Sequence, residues 1–141
     1  MIFLVVAGAV VPVLVVVFGL PSGLDEIAHE STRFHLNLFG SSIYEYHALT
    51  GKWPAKIEDL AKTFLPQKSP LWRQMLDDEL DVIVWHNDLK LDPKKNADQI
   101  LVYHNKGLIS QRGQSWVCRG DLRTEYIRTE ELQAYLKKLK E

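Results

Sequence analysis

Five histidines are the side chains of this sequence that most readily suggest metal chemistry. His29, His35 and His47 are separated by 6 and 12 residues. Helical residues six apart do not face each other as ligands at i and i+4 would. His86 and His104 each follow apolar residues of a predicted strand. We therefore interpret all five as structural and predict no zinc site.

A polar loop between two predicted strands is the best candidate for an ion site. Its oxygen-bearing side chains are Asp88, Asp92, Asn96 and Asp98, and carboxylate and amide oxygens suit calcium. The spacing does not match an EF-hand, so a solvated loop is the simpler interpretation. A calcium site at Asp88, Asp92 and Asp98 remains an alternative, and no cofactor is predicted.

No catalytic constellation is present in the sequence. It contains no Gly-x-Ser-x-Gly elbow, phosphate-binding glycine loop or HExxH motif. Cys118 is the only cysteine, and its apolar neighbours indicate a buried small hydrophobe rather than a reactive thiol. We predict that the protein is not an enzyme.

Three further groups of residues have ordinary structural interpretations. Arg119-Gly120-Asp121 spells an integrin-binding tripeptide, but Gly-Asp is common in hairpin turns. The acidic run at residues 77–81 is typical of a solvated connection before a strand. Tryptophans could line a sugar-binding surface, although core packing is their more frequent role; the sequence has them at Trp53, Trp72, Trp85 and Trp116.

Charge divides the chain into two unlike parts. Residues 1–20 carry no charged or amide side chain, and a helix of that length spans about 30 Å, the thickness of a bilayer's hydrocarbon layer. We predict a transmembrane helix there, with a cleaved secretory signal as the alternative, and an extracytoplasmic domain at residues 21–141. The balance of 17 Lys+Arg against 18 Asp+Glu argues against nucleic-acid binding.

Apolar residues at spacings of three and four predict one helix over residues 24–50. Its predicted buried stripe comprises Leu24, Ile27, Ala28, Ser31, Phe34, Leu38, Ser42, Tyr46 and Leu49. Gly51 would end the helix in a left-handed conformation, and Trp53 and Pro54 would turn the chain back. These three residues are predicted to form a structural hinge.

The remaining periodicity predicts an α+β domain. A short helix is predicted over residues 57–64, and β-branched and aromatic runs predict strands at 81–86, 100–104, 115–119 and 123–127. Thr129 is the predicted cap of a terminal helix over residues 129–140. A long helix, antiparallel strands within residues 81–128 and a last helix make this order typical of the α+β class.

Residues 44–60 read YEYHALTGKWPAKIEDL and resemble the type IV pilin and type II secretion pseudopilin superfamily, especially the major-pseudopilin-like proteins. In that pattern the N-terminal helix ends with Tyr, followed by Gly-x-aromatic-Pro and a segment ending in Asp/Glu-Leu. The matching residues are Tyr46, Gly51, Trp53, Pro54, Asp59 and Leu60. Residues 100–103 and 115–127 are similar to the superfamily's C-terminal strands. Residues 1–20 lack the usual basic prepilin leader and Glu.

The resemblance implies a pilin-like α+β fold: a long N-terminal helix, membrane-spanning in its first part, packed on a small antiparallel sheet with a C-terminal helix. It implies a membrane-anchored structural or assembly protein of a type II secretion-like system. Its partners would be like subunits or secretion-complex proteins, reached through the N-terminal helix. The implied location is the bacterial inner membrane, as a single-pass protein with an extracytoplasmic C-terminal domain. It also implies calcium in a C-terminal loop.

The alternative function is an extracytoplasmic binding module built on a pilin-like fold. Such a module needs an organised pocket, and we expect one lined by tryptophan and polar groups if this alternative is correct. An assembly protein has no need of such a pocket.

Overall fold

The structure is a computed structural model that describes residues 21–61, 72–77, 80–105 and 113–141. The chain divides into two compact units, residues 1–31 and 32–141. In the first unit, residues 21–31 are helical. The predicted transmembrane helix at residues 1–20 lies outside the described residues. The second unit carries the sheet and its core.

Helix α1 runs from Pro21 to Thr50 and is 30 residues long. Nowhere in the described ranges is there a helix of sufficient length and apolar character to cross a membrane. The first half of α1 contains Asp25, Glu26, Glu30 and Arg33, and ionised side chains are costly in hydrocarbon. The predicted pilin-like fold, with an N-terminal helix that is membrane-spanning in its first part, is therefore wrong, whereas the order of elements agrees with the α+β class. The structure has instead a helix, a four-stranded antiparallel sheet and a C-terminal helix.

The buried face of α1 differs from the predicted stripe. Phe34 and Leu49 are 57% and 62% exposed, so their predicted burial is wrong, whereas Leu38 and Ser42 are buried. A second set of α1 residues, also at spacings of three and four, is buried as well. Its members are Thr32, Leu36, Phe39 and Ile43. Ser31 is exposed and Tyr46 half-buried. The side chains of Leu24, Ile27 and Ala28 lie outside the described part.

The remaining elements follow in the second unit. They are α2 (Ile57–Leu60), α3 (Trp72–Asp77), β1 (Asp81–Ile83), a 3-10 helix (Pro93–Asn96), β2 (Ile100–His104), β3 (Gln114–Arg119), β4 (Thr124–Arg128) and α4 (Thr129–Lys138). Helix α3 is not among the predicted elements. The predicted helix over residues 57–64 is described only to residue 61.

The end of β1 and the N-terminal cap of α4 differ from the prediction, and local hydrogen bonds explain both differences. Strand β1 ends at Ile83 rather than at residue 86. His86 is not paired in the sheet, and its side-chain Nε2 lies 2.9 Å from the backbone oxygen of Ile100. Helix α4 is capped by Arg128 with no side-chain cap. The Thr129 N–H donates instead to the Gly113 carbonyl at 3.0 Å, so the predicted Thr129 cap is wrong.

The sheet is antiparallel throughout, in the order β1-β2-β3-β4. Strands β1 and β4 are its edges. The register places Asp81 opposite His104 in the first pair and Trp116 opposite Tyr126 in the last. Because successive side chains of a strand point to opposite faces, this register decides which groups share a face.

The core has two parts, one on each face of the sheet. The first joins α1 to the strands through Leu36, Phe39, Ile43, Ile83, Val102, Trp116 and Cys118. The second joins the strands to α4 through Ile100, Val117, Ile127 and Leu132. Trp116 and Cys118 belong to one part and Val117 between them to the other, as strand alternation requires. The sheet is therefore buried on both faces, and β1 is left as an edge.

Candidate binding site at the edge strand

A cavity of about 470 Å³ opens beside β1. Its apolar wall comes from three segments of the chain: Ile57 of α2, Leu76 of α3, and Val82 and Ile83 of β1. Small-molecule sites are typically mostly apolar cavities of about 300–1,000 Å³ with a few polar groups. The volume and wall of this cavity fall within that description.

Two aromatic side chains and two polar residues complete the described lining. Trp85 and Tyr103 supply the aromatic rings, and Asp81 and Asn105 the polar groups. Trp85 lies two residues after the end of β1 and is 38% exposed, which leaves its ring accessible to a ligand. The cavity therefore has the combination of tryptophan and polar groups that the binding-module alternative requires.

Asp81 is the unusual residue of this wall because it is only 1% exposed. Its Oδ1 lies 2.7 Å from Nδ1 of His104, itself 7% exposed. The sheet register creates this pair by placing the two residues directly opposite each other. With its proton on Nδ1, His104 donates to the carboxylate.

The second oxygen of Asp81 has no such contact. Oδ2 is buried and has no hydrogen-bond partner among the described residues. Leaving a buried polar group unpaired costs about 1–3 kcal/mol, and more for a charged one. Native proteins rarely keep such a group without an ordered water, an ion or a ligand. The Asp81 side chain is 0% exposed, so this oxygen faces the protein interior rather than the accessible space of the cavity.

The predicted hinge residues lie at the end of α1, and each has a structural contact. Gly51 has a φ of 72°, the left-handed conformation that the sequence predicts, and its N–H donates to the His47 carbonyl at 2.8 Å. The Trp53 ring lies 4.0 Å from that of His47 and 5.5 Å from that of Tyr44. Pro54 is buried. Their joint role as a hinge remains a prediction.

The polar loop does not assemble the carboxylates of the calcium alternative. Asp88 and Asp98 are exposed, while Asp92 accepts a hydrogen bond from the Lys94 N–H at 3.1 Å. Over the whole described part of the chain, no group of three histidine, cysteine or acidic side chains could hold a metal ion. Leu89 and Asn96 are the buried residues of this loop, and the Asn96 side chain forms hydrogen bonds with the N–H and the carbonyl of Lys90.

The other sequence motifs also have structural contacts. Arg119 Nε donates to Glu125 at 2.6 Å, and Gly120 is buried, so the Arg-Gly-Asp tripeptide is part of the β3–β4 turn. Cys118 is fully buried, and desolvation raises the pKa of its thiol to about 12. Trp116 is buried with its ring 3.8 Å from that of Tyr126. The side chain of Trp72 lies outside the described part.

Comparisons of the chain with protein-family models, with curated proteins and with solved structures find no match. The resemblance to the pilin superfamily therefore remains a prediction, and function has to be inferred from the cavity itself.

Sequence reasoning missed the burial of Asp81 beside the cavity. This residue belongs to the acidic run at residues 77–81, which predicts a solvated connection, and its burial shows that this interpretation is wrong for Asp81. A signal was present: Asp81 and Ile83 alternate at the start of a β-branched run, and His104 ends the next apolar strand. Antiparallel pairing brings those two ends together.

Proposed function

We propose that residues 32–141 form a binding module whose ligand occupies the cavity beside β1. The observation that carries this proposal is the cavity of about 470 Å³, whose described wall combines apolar side chains with the exposed side chain of Trp85. The extracytoplasmic location of the module is part of the same proposal, and it is supported by the uncharged sequence of residues 1–20.

The apolar and aromatic wall supports a ligand rather than a water molecule alone. A water needs two to four polar partners, whereas Ile57, Leu76, Val82 and Ile83 offer none from their side chains. A ligand with an apolar body would cover this wall. Binding would remove apolar surface from water at about 25 cal/mol per Å².

The fluorine NMR spectrum of the full-length chain labelled with 5-fluorotryptophan tests this proposal. Trp85 lines the cavity, while Trp116 is buried two strands away against Tyr126. Variants Trp85→Phe and Trp116→Phe assign the two signals. The probes are n-butylamine, n-butanol, pentanoate, glucose and inorganic phosphate.

We expect at least one probe to shift the Trp85 signal saturably at millimolar concentration, the weak end of specific affinity, without shifting that of Trp116. If no probe moves the Trp85 signal, the cavity is not a ligand site and the proposal fails. Equal shifts of both signals would indicate a general effect on the fold and would also count against it.

A second proposal is the pilin- or pseudopilin-like assembly function that the sequence resemblance implies. The observation that favours it is the exposure of two large apolar side chains on α1, Phe34 and Leu49. Exposed apolar side chains on one helix can mark a contact with another protein. In this proposal α1 packs against like subunits or secretion-complex proteins.

Sedimentation of the full-length chain in mild detergent tests self-association. The double substitution Phe34→Ser with Leu49→Ser should weaken association if α1 forms the contact. Leu91→Ser is the matched control, because Leu91 is 73% exposed but lies outside α1. A parent chain that remains monomeric at every concentration, or equal weakening by the control, would contradict association of like subunits through α1.

A further inference from the structure

We propose that the ligand of the β1 cavity is an uncharged aromatic carboxamide, that is, a planar ring that bears one amide group. This inference rests on the proposed binding function and names the chemical class of its ligand. The ring of the ligand would pack on the ring of Trp85 and against the apolar wall. Its amide group would form hydrogen bonds with the side chain of Asn105.

The open ring of Trp85 favours an aromatic ligand. The ring of Trp53 lies 4.0 Å from that of His47, and the ring of Trp116 has a similar contact with Tyr126. The Trp85 ring lines the cavity, is 38% exposed and has no ring contact or hydrogen bond within the described part of the chain. Aromatic pairs attract each other beyond the area that they bury. An aromatic ligand would give Trp85 the contact that the other two already have.

The rest of the wall favours a ligand with an apolar body over a sugar. Ile57, Leu76, Val82 and Ile83 present only apolar side-chain surface to the cavity. A sugar would bring hydroxyl groups against this surface, and a hydroxyl that leaves water without a new hydrogen bond is costly. An aromatic ring has no such group on its faces or edges. The ring therefore suits both Trp85 and the wall opposite to it in character.

Asn105 supplies the polar contact of the site. It directly follows β2, and its backbone N–H donates to the Leu80 carbonyl at 2.7 Å, which fixes the position of the residue. Asn105 is exposed and lines the cavity, and its side chain forms no hydrogen bond within the described part. A side-chain amide both donates and accepts hydrogen bonds. A carboxamide on the ligand does the same, so the two groups are complementary.

The accessible part of the described lining favours an uncharged ligand. Asp81 is the charged residue of that lining, but its side chain is 0% exposed and its Oδ1 lies 2.7 Å from Nδ1 of His104. The carboxylate therefore has no surface for a ligand. The accessible side chains of the described lining offer hydrogen bonds but no opposite charge to a cation or an anion. Burying an unpaired charge costs far more than burying an amide whose hydrogen bonds are formed.

The test compares four probes on the full-length chain, followed by the fluorine signal of Trp85. They are benzamide, cyclohexanecarboxamide, benzoate and benzamidine. Cyclohexanecarboxamide keeps the amide but has no aromatic ring, whereas benzoate and benzamidine keep the shape of benzamide but carry a charge. We expect benzamide to bind at least about threefold more tightly than cyclohexanecarboxamide. It should bind at least about fivefold more tightly than either charged probe.

Two variants separate the contributions of the ring and the amide. Trp85→Leu removes the ring and should bind the two carboxamides equally, measured by saturation-transfer NMR because the fluorine label is lost. Trp116→Phe is the matched control, because it removes a tryptophan outside the cavity, and it should keep the preference for benzamide. Asn105→Ala should weaken both carboxamides about threefold and keep their ratio. An unchanged Trp116 signal shows that Trp85→Leu and Asn105→Ala have folded.

The outcomes separate this inference from the proposed function. Equal affinity for benzamide and cyclohexanecarboxamide, or tighter binding of a charged probe, would overturn the inference while the cavity remains a binding site. The same holds if n-butanol or glucose shifts the Trp85 signal and benzamide does not. If no probe of either set moves that signal, the inference and the binding function fail together. A preference for benzamide that survives Trp85→Leu would overturn the assignment of Trp85 as its partner.

Discussion

The two ends of the sheet satisfy their buried polar groups differently. At the β3–β4 turn, Tyr44 donates its hydroxyl hydrogen to the Gly120 carbonyl and accepts one from Asn96 at 2.7 Å. Asn96 in turn bonds both the N–H and the carbonyl of Lys90 at 2.8 Å. We call this the closed end, defined by Tyr44, Asn96 and Gly120 together with the neighbouring contact of Gly40 with Cys118.

At the open edge, defined by Asp81 and the cavity beside β1, one buried oxygen lacks a described partner. The closed end has hydrogen bonds within the chain and almost no spare space. The open edge has space and an unmet hydrogen-bonding capacity. The difference indicates that the closed end holds the sheet in place, while the open edge is available to a ligand.

The largest expected effect is that of Gly120→Ala. A Cβ at residue 120 would lie 2.3 Å from the backbone oxygen of Asn96 and 2.4 Å from its Cβ, so the backbone would have to move. We expect a loss of about 3 kcal/mol in the free energy of unfolding, measured by urea denaturation.

Gly113→Ala is the control for this substitution. Gly113 has a φ of 71° and nothing within 4 Å of an added Cβ. Only the backbone conformation is strained there, at about 1 kcal/mol. Equal losses for the two variants would show that the closed end is not tightly packed.

Trp53→Ala tests how far the closed end depends on the predicted hinge. The Trp53 ring meets Tyr44 edge to face at 5.5 Å, and the side chain is half-buried. A fully buried tryptophan costs about 3–5 kcal/mol when truncated, so we expect about half that loss. A melting curve identical to that of the parent chain would show that the hinge assignment is wrong.

Gly40→Ala should cost about 1–2 kcal/mol in unfolding free energy. Its added Cβ would lie 2.8 Å from Sγ of Cys118, closer than real contacts allow. Because Cys118→Ala removes that sulfur, the double variant should be more stable than the sum of the two single effects predicts. Strict additivity would mean that the two side chains do not compete for the same space.

Alkaline pH should destabilise the closed end through Cys118. Burial raises the pKa of its thiol from 9.0 to about 12, so the folded chain keeps a proton that the unfolded chain releases. The stability is fully present below about pH 9 and falls as the pH rises toward 12. Between pH 9 and 10 the expected loss is about 1 kcal/mol.

The pKa values of Tyr44 and Tyr135 are also raised from 10.0 by desolvation, so both tyrosines add a smaller loss of stability as the pH approaches 10. Cys118→Ala should lose most of the slope between pH 9 and 10 and keep the smaller part that comes from the two tyrosines. Persistence of the same slope in that variant would assign the effect to another group.

The sequence predicted the open edge poorly and the strands around it well. The strand Ile100–His104 has the predicted bounds, β3 begins one residue earlier than predicted, and β4 begins and ends one residue later. Their β-branched and aromatic side chains favour strands, and a local sequence pattern is enough to show this preference. The burial of Asp81, by contrast, follows from pairing with His104, 23 residues away, which no local pattern contains.

The α1 face was ambiguous for a similar reason. Phe34 and Leu38 belong to one helical stripe, and Leu36, Phe39 and Ile43 to another. Both have the spacing of three and four that predicts a buried face. Contact with the sheet selects between them, and tertiary contacts are not visible in a helical period.

The smallest expected effect on stability is that of Asp81→Asn. The substitution removes a buried charge while leaving an oxygen to accept from His104, so the two contributions oppose each other. We expect the free energy of unfolding to change by less than about 1 kcal/mol in urea denaturation. A loss as large as that of Gly120→Ala would place Asp81 with the closed end as a structural residue.

The fluorine signal of Trp85 during titration with the five probes tests the central claim most directly, in the parent chain and in Gly40→Ala. The account predicts that at least one probe shifts this signal saturably in both chains, with the same affinity in folded Gly40→Ala despite its loss of stability. The absence of any shift in the parent chain, or a loss of affinity in Gly40→Ala, would contradict the assignment of the open edge as the binding site.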